Sequence, residues 1–365
     1  MSTTEQNTGV EQAPQAPINL YTLSEGELKE ALLTMGQPAF RAKQVVEWVY
    51  QRGVTSFEEM SNLPKALRAT LSERFSFGHL TLKTSQVSKD GTEKRLYALP
   101  DGKLIESVLM PYGDGRRTAC ISSQAGCAMG CTFCATGQMG FDRHLSAGEI
   151  FEQAQRFSSE LQARGERLSN IVLMGMGEPF HNYESVIEAL HMIMGRLGIG
   201  ARRITVSTVG LVPKIKRFAQ EGLQVKLAIS LHATRDAERR EIMPVNKRYP
   251  ISELIEACHE FVKSTGRRVT FEWALIQGQN DSVEEATRLA HLLKGLLCHV
   301  NVIPLNPTAG YEGAPSDPQR VSRFIETLER LGTPATVRMR RGIDIDAGCG
   351  QLKSSELEQL VQISS

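Results

Sequence analysis

Apolar and polar positions follow two different periods along this 365-residue chain, and the change of period divides it. Over residues 18–76 the spacing is helical. Ser24-Glu-Gly-Glu27 has the spacing of a capping box, with Leu23 and Leu28 placed as a hydrophobic staple. Phe40 to Tyr50 carries apolar residues at helical intervals, and Leu63-Pro64 opens another short helix. Residues 77–112 read as strands. Leu80-Thr-Leu-Lys-Thr84 and Arg95-Leu-Tyr-Ala-Leu99 flank Lys89-Asp90-Gly91, a hairpin turn signal. From about 117 to 340, short apolar runs alternate with amphipathic stretches. The strand candidates are Thr118–Ser122, Ile171–Met174, Ile204–Ser207, Val225–Ser230, Val269–Leu275, Val300–Pro304 and Thr336–Met339. Helical segments lie between them, among them 147–163, 184–197, 251–265, 283–297 and 317–331.

Such alternation means parallel strands joined by helical crossovers. Six units and a last strand are fewer than the eight of a closed barrel. The expected fold is α/β, a partial (β/α)6 barrel, with a doubly wound sheet as the alternative. The expected divisions are a disordered tail at 1–17, a helical accessory domain at 18–76, a β extension at 77–112, the barrel at 113–345 and a C-terminal tail at 346–365. The first tail is rich in Gln, Pro and Thr.

Composition narrows the setting. A hydrophobic content of 41% supplies a sizeable core, and no apolar run reaches the length of a membrane span. Met1-Ser-Thr-Thr-Glu-Gln6 lacks the pattern of a secretion signal, so a cytoplasmic location is expected. Seven cysteines, an odd number, do not suggest a disulfide framework. A net charge of +1 decides nothing about nucleic acid. An RNA site must rest on local clusters, and three are present: Arg235, Arg239, Arg240, Lys247 and Arg248; Lys214, Lys216 and Arg217; Arg338, Arg340 and Arg341. A solvated face is the ordinary use of any one of them. The 18–76 segment has seven basic and seven acidic residues and announces nothing by charge.

The chemistry concentrates in Cys127-Ala-Met-Gly-Cys131-Thr-Phe-Cys134. Three thiolates suit a cubane iron–sulfur cluster with one iron left open to a small molecule. The competing reading is zinc, which as a structural ion wants four ligands, normally two Cys/His pairs; no second pair has that spacing. The other unusual polar motifs all end strands, where α/β barrels bind ligands. Gly175-Met-Gly-Glu178-Pro179 follows the second strand, Ser207-Thr-Val-Gly210 ends the third, Ser230-Leu-His232 the fourth and Pro304-Leu-Asn306-Pro307 the sixth. Each has a plain use: a glycine turn, a helix cap, a structural histidine, a turn opener. Their common edge argues for one site beside the cysteines.

The cysteine spacing matches the radical S-adenosylmethionine (SAM) enzymes, and Gly175-Met-Gly-Glu-Pro179 resembles their strand that binds the SAM amine. Cys120-Ile-Ser-Ser-Gln-Ala-Gly-Cys127, Ser230-Leu-His-Ala233 and Asp344-Ile-Asp-Ala-Gly-Cys349-Gly-Gln-Leu352 resemble the RlmN/Cfr family of RNA adenosine methyltransferases. The resemblance runs from about residue 18 to 355 and departs at Gly348, where alanine is expected; glycine widens backbone freedom there.

The resemblance implies a 4Fe-4S cluster on Cys127, Cys131 and Cys134, and two SAM molecules per turnover. Gly177 and Glu178 would contact the SAM amine, and Ser207, Ser230, Leu231, His232 and Asn306 would line the rest of its site. Adenine carbons 2 and 8 are not nucleophiles, so direct methyl transfer fails there. The implied route methylates Cys349 first, adds its methylene radical to adenine and releases a protein–RNA adduct through a Cys120–Cys349 disulfide. Glu106 would take the ring proton. Without the resemblance, Cys349 reads as a tail thiol and Cys120 as a buried strand cysteine. Cys258 and Cys298 read as filler.

The implied substrate is large-subunit (23S) rRNA at adenine carbon 2, with tRNA as a second substrate, an electron donor such as flavodoxin and a monomeric state. The alternatives are a Cfr-type carbon 8 activity, a radical SAM protein activase without RNA, and a zinc-stabilised RNA-binding module.

Overall fold

The structure, a computed structural model, describes residues 17–352. The expected N-terminal tail and the end of the C-terminal one fall outside the described residues. Two units are distinguished, Met1–His79 and Leu80–Ser365.

In the first unit, β1 (Ile18–Asn19) pairs in parallel with β2 (Phe75–Ser76), and α1 (Glu25–Thr34), α2 (Phe40–Val46) and α3 (Lys65–Arg74) lie between them in sequence. The capping box forms: Glu27 N donates to Ser24 Oγ at 3.1 Å, and Ser24 N to Glu27 Oε2 at 2.7 Å. The helix expected over Phe40–Tyr50 runs as α2 and then a π turn over Glu47–Gln51. Leu28, Leu32, Val45, Val49, Leu67 and Leu71 form the buried face.

The second unit is built on a ten-stranded sheet. Its strands are β3 (Thr81–Val87), β4 (Glu93–Ala98), β5 (Leu104–Pro111) and β6 (Arg117–Cys120), then β9 (Asn170–Leu173), β10 (Ile204–Thr208), β11 (Lys226–Ser230), β12 (Val269–Leu275), β13 (Cys298–Pro304) and β14 (Ala335–Val337). A separate ribbon, β7 (Gln124–Gly126) with β8 (Phe141–His144), brackets the cysteine loop. The helices are α4 (Ala135–Gln138), α5 (Ala147–Ala163), α6 (Tyr183–Arg196), α7 (Val212–Phe218), α8 (Asp236–Ile242), α9 (Ile251–Thr265), α10 (Val283–Leu292) and α11 (Pro318–Arg330).

The sheet order is β14-β13-β12-β11-β10-β9-β6-β5-β4-β3. From β6 through β14 every neighbour is parallel and the order never reverses. A doubly wound sheet needs a reversal, its topological switch point, so the partial barrel is the fold. β14 and β3 lie at opposite edges of the sheet, and β3–β5 continue it as an antiparallel meander. β12 is buried through nearly all its length, as a central parallel strand must be. α9 turns Leu254, Ile255, Cys258 and Phe261 inward and ends at Gly266 in the left-handed region. Cys258 and Cys298 are core residues. No helix among the described residues is long and apolar enough to cross a membrane.

Candidate active site

The strand ends converge as their sequence implied. A cavity of about 140 Å³ is lined by Cys127, Cys131, Cys134, Gly177, Glu178, Ser207, Ser230, His232, Asn306 and Cys349, with Phe133, Thr208, Met243 and Glu272 among its other walls. A second, smaller cavity is lined by Cys120, Cys349, Tyr112, Arg338, Arg340 and Arg341. Cys349, Asn306, Met174, Ile303 and Leu352 border both.

The cysteine loop is held from three sides. Cys127 N donates to Gly140 O at 2.6 Å, closing the loop at the β7–β8 ribbon. Thr132 N donates to Ile242 O at 3.0 Å, at the end of α8. Ala135 N donates to Gly350 O at 2.8 Å, and Thr136 Oγ1 to Leu352 O at 2.7 Å. Those last two bonds fix the chain just after the methyl-carrier candidate. Asn306 Nδ2 adds a bond to Cys349 O at 3.0 Å, and Gln351 Nε2 one to Pro307 O at 3.1 Å. Cys349 is an exposed residue on an immobilised backbone. At Gly348 a Cβ would come within 2.5 Å of Gln351 Oε1 and 2.7 Å of Asn306 Nδ2, so space, rather than backbone freedom, favours glycine there.

All seven cysteines are free thiols. Burial pushes Cys127 up to about 12 and raises Cys131 and Cys134 as well, so a metal bound there would displace their protons. Among the described residues no three Cys, His, Asp or Glu side chains converge on a single metal ion. A structural zinc gathers its ligands at one centre. A cubane takes one thiolate at each of three separate irons, and three thiols facing one cavity suit it. Asn306 Oδ1, buried on the same wall without a hydrogen-bond partner, suits a polar ligand beside them.

Glu178 N donates to Gln124 Oε1 at 2.8 Å, and its carboxylate accepts from Phe180 N at 2.9 Å and Val209 N at 2.8 Å. Burial lifts this carboxyl to about 7, against those bonds. Gly177 sits at φ +99, and a Cβ would lie 2.5 Å from Gln124 Cβ; glycine alone allows this turn. His232 is also in the left-handed region, at φ 60. Ala274 N donates to its Nδ1 at 2.8 Å and Asn280 Nδ2 to its carbonyl at 2.8 Å, and Phe133 meets the ring edge-on. Nδ1 is therefore the acceptor and Nε2 carries the hydrogen.

Burial depresses His232 from 6.5 to about 3. Its contribution to stability is present above 6.5 and is lost as pH falls toward about 3, since the unfolded chain binds the proton first. Urea melts of cluster-free protein below about pH 6.5 should show the wild type losing up to about 1.4 kcal/mol per pH unit more than His232→Asn.

Leu231 does not line the cavity. Its side chain is in the core, its N donates to Glu272 O, and its O accepts from Arg239. Glu106 borders neither cavity, yet Val108 pairs with Cys120 in the antiparallel register, so Glu106 shares Cys120's face of the sheet. It is buried and ion-paired with Lys94 at 3.3 Å. Cys120 is pushed up to about 12, by burial and then by Cys349. Cys349 keeps an exposed face, yet desolvation where it borders the two cavities raises its thiol also, opposed by the Arg338 guanidinium.

The basic clusters divide. Arg239 is fully buried and cannot meet a phosphate, contrary to expectation. Lys216 and Arg217 are ion-paired with Glu260 and Glu184. Arg338, Arg340 and Arg341 line the second cavity, with Arg341 over the Tyr112 ring at 4.4 Å. Phe133 and Glu272 were missed as wall residues; a lone carboxylate inside the apolar run Val269–Leu275 was the available signal.

Residues 18–76 match the ribosomal RNA large subunit methyltransferase N-terminal domain, and 121–290 the radical SAM superfamily. The dual-specificity RNA methyltransferase RlmN 1 of Myxococcus xanthus is 49% identical over 92% of this chain and 94% of its own. The chain belongs to the RlmN family of radical SAM RNA methyltransferases. A probable RlmN of Geobacillus kaustophilus is 47% identical over 96% of both chains. The crystal structure of a radical SAM methyltransferase from Sphaerobacter thermophilus, 50% identical, superposes with a TM-score of 0.89 over 92% of this chain and 99% of that one. Family membership brings a 4Fe-4S cluster and SAM as cofactors.

Proposed function

We propose that this RlmN-family enzyme methylates carbon 2 of an adenosine in 23S rRNA, and of a tRNA adenosine, with Cys349 as methyl carrier. The observation that carries this reading is that Cys349 borders both cavities, one with the three cluster cysteines and one with Cys120. Cys127, Cys131 and Cys134 would hold the cluster, which when bound supplies the electron that cleaves SAM to a 5′-deoxyadenosyl radical. Gly177, Glu178, Ser207, Ser230, His232 and Asn306 would orient SAM and exclude water.

The Cys349 thiolate would accept the methyl group from SAM, with Arg338 as the nearby cation. After hydrogen abstraction, which gives 5′-deoxyadenosine, the carried carbon radical would bond to adenine, linking protein and RNA, and the adduct would give up its unpaired electron to the one-electron carrier of the site as the ring proton leaves. Glu106, on the Cys120 face, would take the ring proton. Cys120, as its thiolate, would attack the Cys349 sulfur, forming a disulfide as the sulfur–carbon bond breaks; the carbon would leave with that electron pair and take up a proton to become the methyl group, and a thiol reductant would restore both cysteines. Arg340 and Arg341 would receive the RNA backbone at the second cavity, with the base extruded toward Cys349. A flavodoxin-type electron donor, a monomer and a cytoplasmic setting complete the proposal.

The test is mass spectrometry of nucleosides from unmodified rRNA and tRNA incubated anaerobically with reconstituted protein, SAM and reductant. 2-Methyladenosine is expected from both. 8-Methyladenosine would move the chain to the Cfr-type reaction. SAM cleavage without any methyladenosine would overturn the substrate.

A further inference from the structure

Arg239 lies in a basic segment, yet no part of it reaches solvent. Its guanidinium is committed to four neutral oxygens. Nε donates to Leu231 O at 3.0 Å and Nη1 to Asn246 Oδ1 at 2.9 Å. Nη2 donates to Val209 O at 2.7 Å and Ser230 O at 2.9 Å. The nearest acid on this network, Asp236, is one side chain removed, reached through Asn246 Nδ2 at 2.9 Å. Taking a guanidinium out of water without a carboxylate against it is costly. Neutral carbonyls meet its hydrogen-bonding needs, and Asp236 offsets the charge only from one side chain away.

What stands beside it is the cysteine loop. α8 carries Arg239, and the carbonyl at its end, Ile242 O, accepts from Thr132 N, the residue after Cys131. Met243 N donates to Arg239 O at 2.7 Å, and Met243 is a wall of the cofactor cavity. Two of the oxygens that bind the guanidinium, Val209 O and Ser230 O, belong to residues that line the cofactor cavity with Cys131, so the charge lies directly behind that wall. Glu178 is the negative neighbour on the opposing side of the balance, acting on both Cys127 and Cys131.

We infer that Arg239 is a positioning residue that acts electrostatically. It is a fixed positive charge behind the wall of the cysteine cavity that balances the anionic cluster and raises its reduction potential, while its fork ties together the ends of β10 and β11. The inference rests on the cluster assignment. Three thiolates outweigh the positive charge of a 4Fe-4S core, and reduction adds one more negative charge. A cation held nearby in a dry, low-dielectric wall therefore favours the reduced state. No substrate or cofactor atom is touched by Arg239 in this role. A residue that only clamps two strand ends would leave the potential where it was.

The experiment is a redox titration of the anaerobically reconstituted full chain, without RNA, followed by the electron paramagnetic resonance signal of the reduced cluster. Wild type, Arg239→Gln and Arg239→Lys are compared, with iron and sulfide measured for each. The midpoint of Arg239→Gln is expected to shift to more negative values, and that of Arg239→Lys to stay at the wild-type value within error. A wild-type midpoint in Arg239→Gln overturns the inference, and so does an equal shift in both variants, which would assign the effect to the lost fork. Should Arg239→Gln hold no cluster, Arg239→Met, neutral and of similar length, takes its place: a negative shift that Arg239→Lys does not share supports the charge, and a wild-type midpoint overturns it. A wild-type chain that assembles no cluster overturns the cluster reading and the inference with it, an outcome distinct from the others.

Discussion

Cys349→Ala is expected to leave a folded protein with a full cluster that transfers no methyl group to RNA. The bonds that fix this segment use the main chain at Cys349, Gly350 and Leu352, and alanine keeps all of them. The residue is exposed, so the change in stability should stay within about 0.5 kcal/mol. Activity should fall by more than about 10³-fold, as for loss of a covalent nucleophile. Nucleoside mass spectrometry reads the loss, and iron analysis shows that the cluster survived. Methyladenosine at the wild-type level would remove Cys349 from the mechanism. Cys120→Ala supplies the contrast: the step before release should remain, and RNA should stay covalently attached on a denaturing gel. Clean turnover by that variant would contradict the release role.

The two variants separate the cavities that Cys349 joins, and that junction was only partly legible in the sequence. The strand-end motifs were legible because strands β6 and β9–β14 follow one another without reversal, so each successive strand delivers its C-terminal end to the same rim. The cysteine loop and Gly177 were legible because their chemistry and backbone demands admit few residue types. What closes the loop was not. The β7–β8 ribbon is three and four residues long and has a register shift at Gly126, too short and irregular for a period-two pattern. α7 and α8 are seven residues each and give less than two full turns of periodicity.

Arg239 shows the deeper limit. In Asp236-Ala-Glu-Arg-Arg-Glu-Ile242 it looks like half of a solvated basic pair, and Arg240 beside it is indeed exposed. Which of two adjacent arginines turns inward depends on where β10 and β11 leave their carbonyls, a tertiary fact. Leu231 fails in the same way: it lies between two wall residues, Ser230 and His232, but the left-handed turn at His232 and the core contact send its side chain inward. The identity of neighbours in sequence does not carry over to neighbours on a wall.

Cys131→Ser should abolish cluster binding, and comparison with Cys258→Ser makes that loss specific. Both thiols are buried, at 7% and 0% exposure. Both substitutions put a hydroxyl into an apolar surrounding, and each should cost on the order of 1–3 kcal/mol for the desolvated group if it finds no partner. A serine hydroxyl does not ionise near neutral pH, so it cannot replace the thiolate at its iron. The loop itself should persist, since Gly140, Ile242, Gly350 and Leu352 hold it through carbonyls that the substitution leaves in place. The expected result is a folded Cys131→Ser chain with iron and sulfide reduced to a small fraction of wild type, no visible cluster absorption and no methyladenosine. Cys258→Ser should lose stability in urea and keep its iron. If the two variants lost iron equally, the loss would follow from general destabilisation. If wild type carried zinc without sulfide, the cluster would give way to the zinc reading. Iron retained in Cys131→Ser at the wild-type level would mean that the ligand set lies elsewhere, and Cys127-Ala-Met-Gly-Cys131-Thr-Phe-Cys134 would lose its claim to be the heart of the site.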